Sequence, residues 1–145
     1  MKETESLLRV LIADDSAVVR ERIGTLLQEI SGVSVVGETE DVAGTLNGIR
    51  RLCPRVVILD INMPGGSGLD VLRQMRSEHL QAEVVVLTNL TFPEYEQKAR
   101  AYGATAFLDK SFQFMKALDL VRDYLPRADS NLSEEQAKPV NASTC

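Results

Sequence analysis

Two adjacent acids close the first apolar run of the chain. Val10, Leu11, Ile12 and Ala13 are followed by Asp14, Asp15 and Ser16. A third acid, Asp60, closes the run "VVIL" (56–59), Thr88 closes "VVVL" (84–87), and Lys110 follows "AFLD" (106–109). A carboxylate beside buried apolar surface is unfavourable unless it is paired or neutralised. If the three acids were gathered, they would also repel: two carboxylates about 4 Å apart cost roughly 4 kcal/mol at an effective dielectric near 20. Protonating one relieves this, and so does a hard divalent cation. Mg²⁺ takes carboxylate oxygens, keeps several waters and bridges to phosphate. Lys110 adds a positive charge and Thr88 a hydroxyl donor. Such a set suits a small anion beside a metal. A phosphoryl group on Asp60 fits, because the metal and Lys110 would neutralise its charge of about −1.5 to −2.

These residues are far apart in the chain, so the fold must gather them. Five short apolar runs recur: "LLRVLIA" (7–13), "VSVVGE" (33–38), "RVVILD" (55–60), "AEVVVLT" (82–88) and "ATAFLD" (104–109). Several are rich in Val and Ile, as suits parallel strands covered on both faces. Helical spacing lies between them. It is carried by Val19, Ile23, Leu26, Leu27 and Ile30, then by Val42, Leu46, Ile49 and Leu52, and then by Leu69, Leu72 and Met75. Tyr95, Ala99 and Tyr102 mark a fourth helix, and Phe114, Leu118, Val121 and Leu125 a fifth. Ser67 with Asp70 and Thr91 with Glu94 read as capping boxes. Pro93 fits a first turn, and Gly32 and Gly103 suit left-handed helix ends.

Strict alternation predicts an α/β fold: a doubly wound, flavodoxin-like (βα)5 domain with a five-stranded parallel sheet, right-handed crossovers and strand order 2-1-3-4-5. In that order the first and third strands are neighbours at the topological switch point. All the chemistry-bearing strand ends then open on one edge. Residues 1–6 read as an N-terminal extension and 7–126 as one domain. Residues 127–145 read as a disordered tail, with Leu132 and Val140 its only large apolar residues.

The net charge is −5 and no Lys/Arg-rich run occurs, so nucleic acid is not expected as a direct partner. No apolar run approaches the ~20 residues of a membrane span, and "MKETESLL" has no signal-peptide pattern. The cytoplasm is the expected compartment. Cys53 and Cys145 offer neither a zinc spacing nor a disulfide framework. Cys53, just before an apolar run, reads as a small buried hydrophobe. His79 reads as a solvent-exposed residue near a helix end.

Taken together, "ADD" (13–15), "VVILDINMPGGSGLDVL" (56–72), "VVVLT" (84–88) and "FLDK" (107–110) resemble the receiver domain of two-component response regulators, over roughly residues 7 to 125. The resemblance implies that Asp60 accepts a phosphoryl group from a histidine of a sensor kinase or phosphotransfer protein. It implies Mg²⁺ held by Asp15, Asp60 and the backbone carbonyl of Asn62, with Asp14 acting through a bound water. Thr88 is implied as the hydroxyl that moves to the phosphoryl group, Lys110 as its ion-pair partner and Phe107 as the switch aromatic. The fourth helix, fifth strand and fifth helix form the implied output face. Val18, Val19 and Arg22 lie on the implied kinase-docking face.

Two positions depart from the family pattern. Ser111 stands where the family usually has a proline after a cis peptide bond, and a cis bond before serine costs about 3–4 kcal/mol. That bond is therefore cis under strain, or the loop is reshaped. Asn89 follows Thr88 where a smaller residue is common. Asn62 and Leu90 occupy positions that tune dephosphorylation in the family. Leu90 gives an attacking water no hydrogen-bonding partner, so slow self-dephosphorylation is expected.

Simpler readings stand beside these. Asp14 and Asp15 could cap the first helix, and Lys110 could pair with Asp60 for structure alone. The expected function is a stand-alone receiver that signals by phosphorylation-dependent binding to a downstream protein, without direct contact to nucleic acid or membrane. A dimer formed on phosphorylation belongs to the same expectation. The protein is expected not to be an enzyme. One alternative is the receiver part of a transcriptional regulator without its DNA-binding output domain. Another is an aspartate-nucleophile phosphatase, which usually needs a second acid where this chain has Asn62. A flavodoxin-like cofactor binder is disfavoured by the two acids after the first strand.

Overall fold

The structure, a computed structural model, describes residues 7–126; the extension and tail expected at 1–6 and 127–145 lie outside the described residues. In chain order the elements are β1 (Leu8–Ala13), α1 (Ala17–Gln28), β2 (Val33–Thr39), α2 (Val42–Leu52), β3 (Val56–Leu59), β4 (Asn62–Met63), β5 (Gly66–Ser67), α3 (Gly68–Glu78), β6 (Glu83–Thr88), α4 (Pro93–Ala101), β7 (Ala106–Asp109) and α5 (Phe114–Asp123). Five strands form one parallel sheet in the order β2-β1-β3-β6-β7. This is the expected 2-1-3-4-5 order once the small β4–β5 hairpin is set aside.

The absence of polar alternation in the strands has a direct cause: both faces of the sheet are covered. On one face Leu11, Val57, Leu59 and Val86 pack against Val42, Ile49, Leu72 and Ala99 from α2, α3 and α4. On the other, Val10, Ile12, Ile58 and Val85 pack against Ile23 and Leu27 of α1 and Leu118 and Val121 of α5.

The helix ends decide what the acids are free to do. Ser16 caps α1, its side chain accepting from the Val19 amide, so neither Asp14 nor Asp15 serves as the cap. Ser67 and Asp70 form the expected capping box of α3. The box expected from Thr91 and Glu94 does not form. Pro93 holds the residue before it extended, so Phe92, with φ −64° and ψ 142°, becomes the N-cap of α4. Cys53 departs from expectation too. It is a half-buried, left-handed cap of α2 with φ 47°, and it is not a free thiol. His79 caps α3 at φ 58°.

The β4–β5 hairpin was not anticipated, because two-residue strands carry no period. Pro64 and Gly65, at φ 85°, make its turn; glycine suits that left-handed position. Gly68 follows and presses α3 against the end of β3. Its N–H donates to the Ile61 carbonyl at 2.7 Å. A Cβ there would lie 2.2 Å from the Asp60 carbonyl oxygen and 2.9 Å from the Ile61 Cα.

The loop after Lys110 is reshaped rather than cis; no cis peptide occurs among the described residues. Asp109 organises it. Its carboxylate accepts from the amides of Ser111 at 2.8 Å and Phe112 at 3.3 Å, a turn for which aspartate is suited. Its own amide donates to the Gln113 side chain at 2.9 Å.

Because backbone blocks the space beside Gly68, a Gly68→Ala substitution should lower stability by about 1–3 kcal/mol, as overpacking does. Urea unfolding measures this; an unchanged midpoint would show that the close approach is not real.

Candidate functional site

Each functional side chain arrives at the same sheet edge because each strand ends there. The Asp14 amide donates to the Thr39 carbonyl at 3.0 Å, and the Asp60 amide to the Ala13 carbonyl at 3.0 Å, so main-chain bonds hold both acids at the ends of β1 and β3. The Lys110 amide donates to the Thr88 carbonyl at 2.9 Å, which ties the end of β7 to the end of β6.

The side chains then converge. The Lys110 ammonium donates to Asp14 Oδ2 at 2.6 Å and to Asp60 Oδ2 at 3.0 Å. Asp14 and Asp60 are only 3% and 5% exposed, whereas Asp15 is exposed. One carboxylate oxygen from each of the three acids lies within 4.8 Å of the others. At that separation two full charges repel by roughly 3–4 kcal/mol at an effective dielectric of 20. Three carboxylates against one ammonium leave two negative charges uncompensated. The donors are hard oxygens, and Asp15 opens the group to solvent. That donor set fits a hydrated dication of the Mg²⁺ type.

The remaining lone pairs are partly engaged. Asp14 Oδ1 accepts from the Ser16 amide at 2.9 Å, and Asp60 Oδ1 from the Asn62 amide at 3.3 Å. Asn62 itself is exposed beside Asp60. Thr88 is fully buried, and its hydroxyl accepts from the Leu90 amide at 3.1 Å. It lies on the right strand end, but its hydroxyl bonds neither the Asp60 nor the Lys110 side chain. Phe107 is turned inward, 8% exposed, in the core under α3 and α4.

Burial pushes the Asp14 carboxyl up, and the nearby Asp60 charge adds to this; hydrogen bonds from Lys110 and Ser16 offset only part. Burial would pull Lys110 down. Its hydrogen bonds to Asp14 and Asp60, with their charges, more than reverse this and leave it above the ordinary lysine value. One contact that sequence reasoning missed also shapes the site. Arg20 of α1 reaches back to donate to the Asp14 carbonyl at 2.6 Å. No periodicity signals it, since the bond runs from a helix side chain back to a strand-end carbonyl.

A family model for the response regulator receiver domain matches residues 10–122. The chain belongs to this family. As a receiver domain it is similar to response regulator GacA of Pseudomonas protegens, with 32% identity over 116 residues, 80% of this chain and 54% of GacA. It is also 33% identical over 133 residues to the transcriptional regulatory protein BtsR of Escherichia coli, covering 91% of this chain and 51% of BtsR. The chain thus spans about half the length of these relatives. Among solved structures, the receiver domain of response regulator NarL from Mycobacterium tuberculosis aligns with TM-score 0.76 and 32% identity, over 81% of this chain and 95% of that one. A LuxR-family DNA-binding response regulator from Staphylococcus aureus aligns with TM-score 0.75 and 28% identity, over 81% and 98%. Among the described residues, no helix is long and apolar enough to cross a membrane.

Two substitutions should move stability in opposite directions. Lys110→Met leaves two buried acids without their cation and should cost about 3 kcal/mol. Asp14→Asn removes a charge that burial disfavours, keeps the Lys110–Asp60 pair, and should raise the midpoint of unfolding. Urea melts in a chelating buffer test both.

The pH dependence has a defined sign for each group. The Asp14 carboxyl lies above its ordinary value of 3.8. Its share of stability is therefore present below that value and declines as pH rises through the folded one. The Lys110 share is present below the ordinary 10.5 and is lost as pH rises through its higher folded value. Comparing pH–stability profiles of the wild type with Asp14→Asn and Lys110→Met should show these losses removed.

Proposed function

We propose that this receiver domain accepts a phosphoryl group on Asp60, in a Mg²⁺-dependent reaction, from a phosphohistidine of a sensor kinase or phosphotransfer protein. The observation that carries this reading is the Lys110 ammonium bridging Asp14 and Asp60 inside a cluster of three carboxylates. Asp15, Asp60 and the Asn62 carbonyl would hold the metal, with Asp14 acting through a water. When bound, Mg²⁺ neutralises and orients the oxygens of the transferring group.

The chain's own residues do the rest. An Asp60 carboxylate oxygen attacks phosphorus, the P–N bond to the donor imidazole breaks, and its electron pair stays on nitrogen. Lys110, already 2.6 Å from Asp14, follows the negative charge from Asp60 to a phosphoryl oxygen. Thr88 turns its hydroxyl from the Leu90 amide to another phosphoryl oxygen, and Phe107, already inward, keeps the inward position. The output is phosphorylation-dependent binding of a downstream protein or a second copy through α4, β7 and α5, in the cytoplasm. The chemistry is performed on the protein itself rather than as an enzyme on other substrates.

A second reading, the receiver half of a transcriptional regulator, is favoured by one observation: the chain spans 54% and 51% of the relatives GacA and BtsR. Immunoblotting cells that make the native protein separates the two. A species of 16.0 kDa supports a stand-alone receiver, and a longer one supports the regulator.

The central test is incubation with MgCl2 and acetyl phosphate. Intact mass should rise by one phosphoryl group, peptide mapping should place it at Asp60, and Asp60→Asn or a chelator should abolish it. Labelling elsewhere, or labelling that survives Asp60→Asn, would overturn the proposal. Leu90 offers an attacking water no polar side chain, so the phosphorylated form should persist for minutes or longer. Decay within seconds would contradict that part.

A further inference from the structure

Asp14 and Asp15 are adjacent, yet they are held very differently. Every polar group of Asp14 has a partner. Its amide donates to Thr39, one carboxylate oxygen takes the Ser16 amide, and the other takes Lys110. Its carbonyl takes Arg20 Nη1 at 2.6 Å. Asp15 is exposed, and among the described residues no hydrogen bond or ion pair holds its carboxylate. Its direction is therefore set by its backbone alone.

That backbone is held on both sides: the Ser16 amide on Asp14 Oδ1 fixes the following peptide unit, and Arg20 fixes the preceding one. The peptide unit is planar, so the Asp14 carbonyl and the Asp15 amide turn together. A guanidinium gripping the Asp14 carbonyl fixes the plane from which Asp15 departs. The grip is itself braced. Arg20 Nε donates to Glu38 Oε1 of β2 at 3.3 Å, and the Arg20 side chain is only 15% exposed. Charge-assisted bonds of this kind are stronger than neutral ones, and the planar fork of arginine serves two acceptors at once.

We propose that Arg20, braced by Glu38, is a positioning residue that aims the Asp15 carboxylate at the metal position by holding the Asp14–Asp15 peptide plane. The proposal rests on the Mg²⁺ reading above. A purely electrostatic role predicts the opposite sign. Arg20 brings a positive charge near the acids, so its removal would tighten the binding of a dication. If it positions Asp15, removal weakens that binding despite the more negative site.

The test is titration of the full chain with MgCl2 alone, followed by calorimetry, with thermal melts in chelator for every variant. Arg20→Met should weaken Mg²⁺ affinity about tenfold, the size usual for partners that orient metal ligands. Arg22→Met removes the same charge from α1 without touching the β1–α1 loop, and should leave the affinity unchanged. Arg20→Lys keeps the charge, loses the fork, and should also weaken binding. If Arg20→Met fails to fold, Arg20→Lys, which keeps the charge, carries the test, and it should weaken binding while melting normally in chelator. Unchanged or tighter binding in the folded Arg20 variants overturns the positioning role and leaves the metal site standing. A wild type that binds no Mg²⁺ overturns both.

Discussion

One ammonium holds this site together. Lys110 stands between Asp14 and Asp60, two carboxylates almost fully removed from water. Without it the two acids would repel across a few ångströms in a medium that screens poorly. With it they are bridged by one cation at 2.6 and 3.0 Å. The pair is an unusual expenditure for a small domain, because buried ion pairs seldom add stability. The three-carboxylate cluster around it still lacks two positive charges.

The rest of the structure reads as support for that contact. The sheet order places β1 beside β3, so Asp14 and Asp60 end neighbouring strands and share a main-chain bond through Ala13. β7 joins on the far side of β6 and delivers Lys110 across the mouth of the site. Two apolar cores clamp the sheet from opposite faces, which keeps the strand ends in register. Glycine at position 68 lets α3 lie directly against the Asp60 backbone. Phe107 lies in the core on that same face, under α3 and α4.

Much of this was legible in the chain. Continuous Val- and Ile-rich runs alternating with helical spacing leave few options other than a doubly wound parallel sheet. In that topology any polar residue at a strand's C-terminal end falls on one edge. Ser67 with Asp70 was readable because a capping box is local. Thr91 with Glu94 was misleading for an equally local reason: Pro93 constrains its predecessor more strongly than a threonine attracts an amide. The β4–β5 hairpin was invisible because two-residue strands have no period. Cys53 was misread because a left-handed cap is a property of backbone geometry and not of neighbouring composition.

By itself, then, the sequence determined which residues could do chemistry and on which edge they must meet, because strand periodicity and chain direction are encoded locally. Tertiary structure alone decided the finer matters. It settled which acid is buried and which exposed, that Lys110 divides itself between Asp14 and Asp60, and that Thr88 rests against the Leu90 amide. It also bent the loop after Lys110 around Asp109 and sent Arg20 back to the Asp14 carbonyl. These depend on distances between groups that are remote in the chain, and only the packed sheet and helices set those distances.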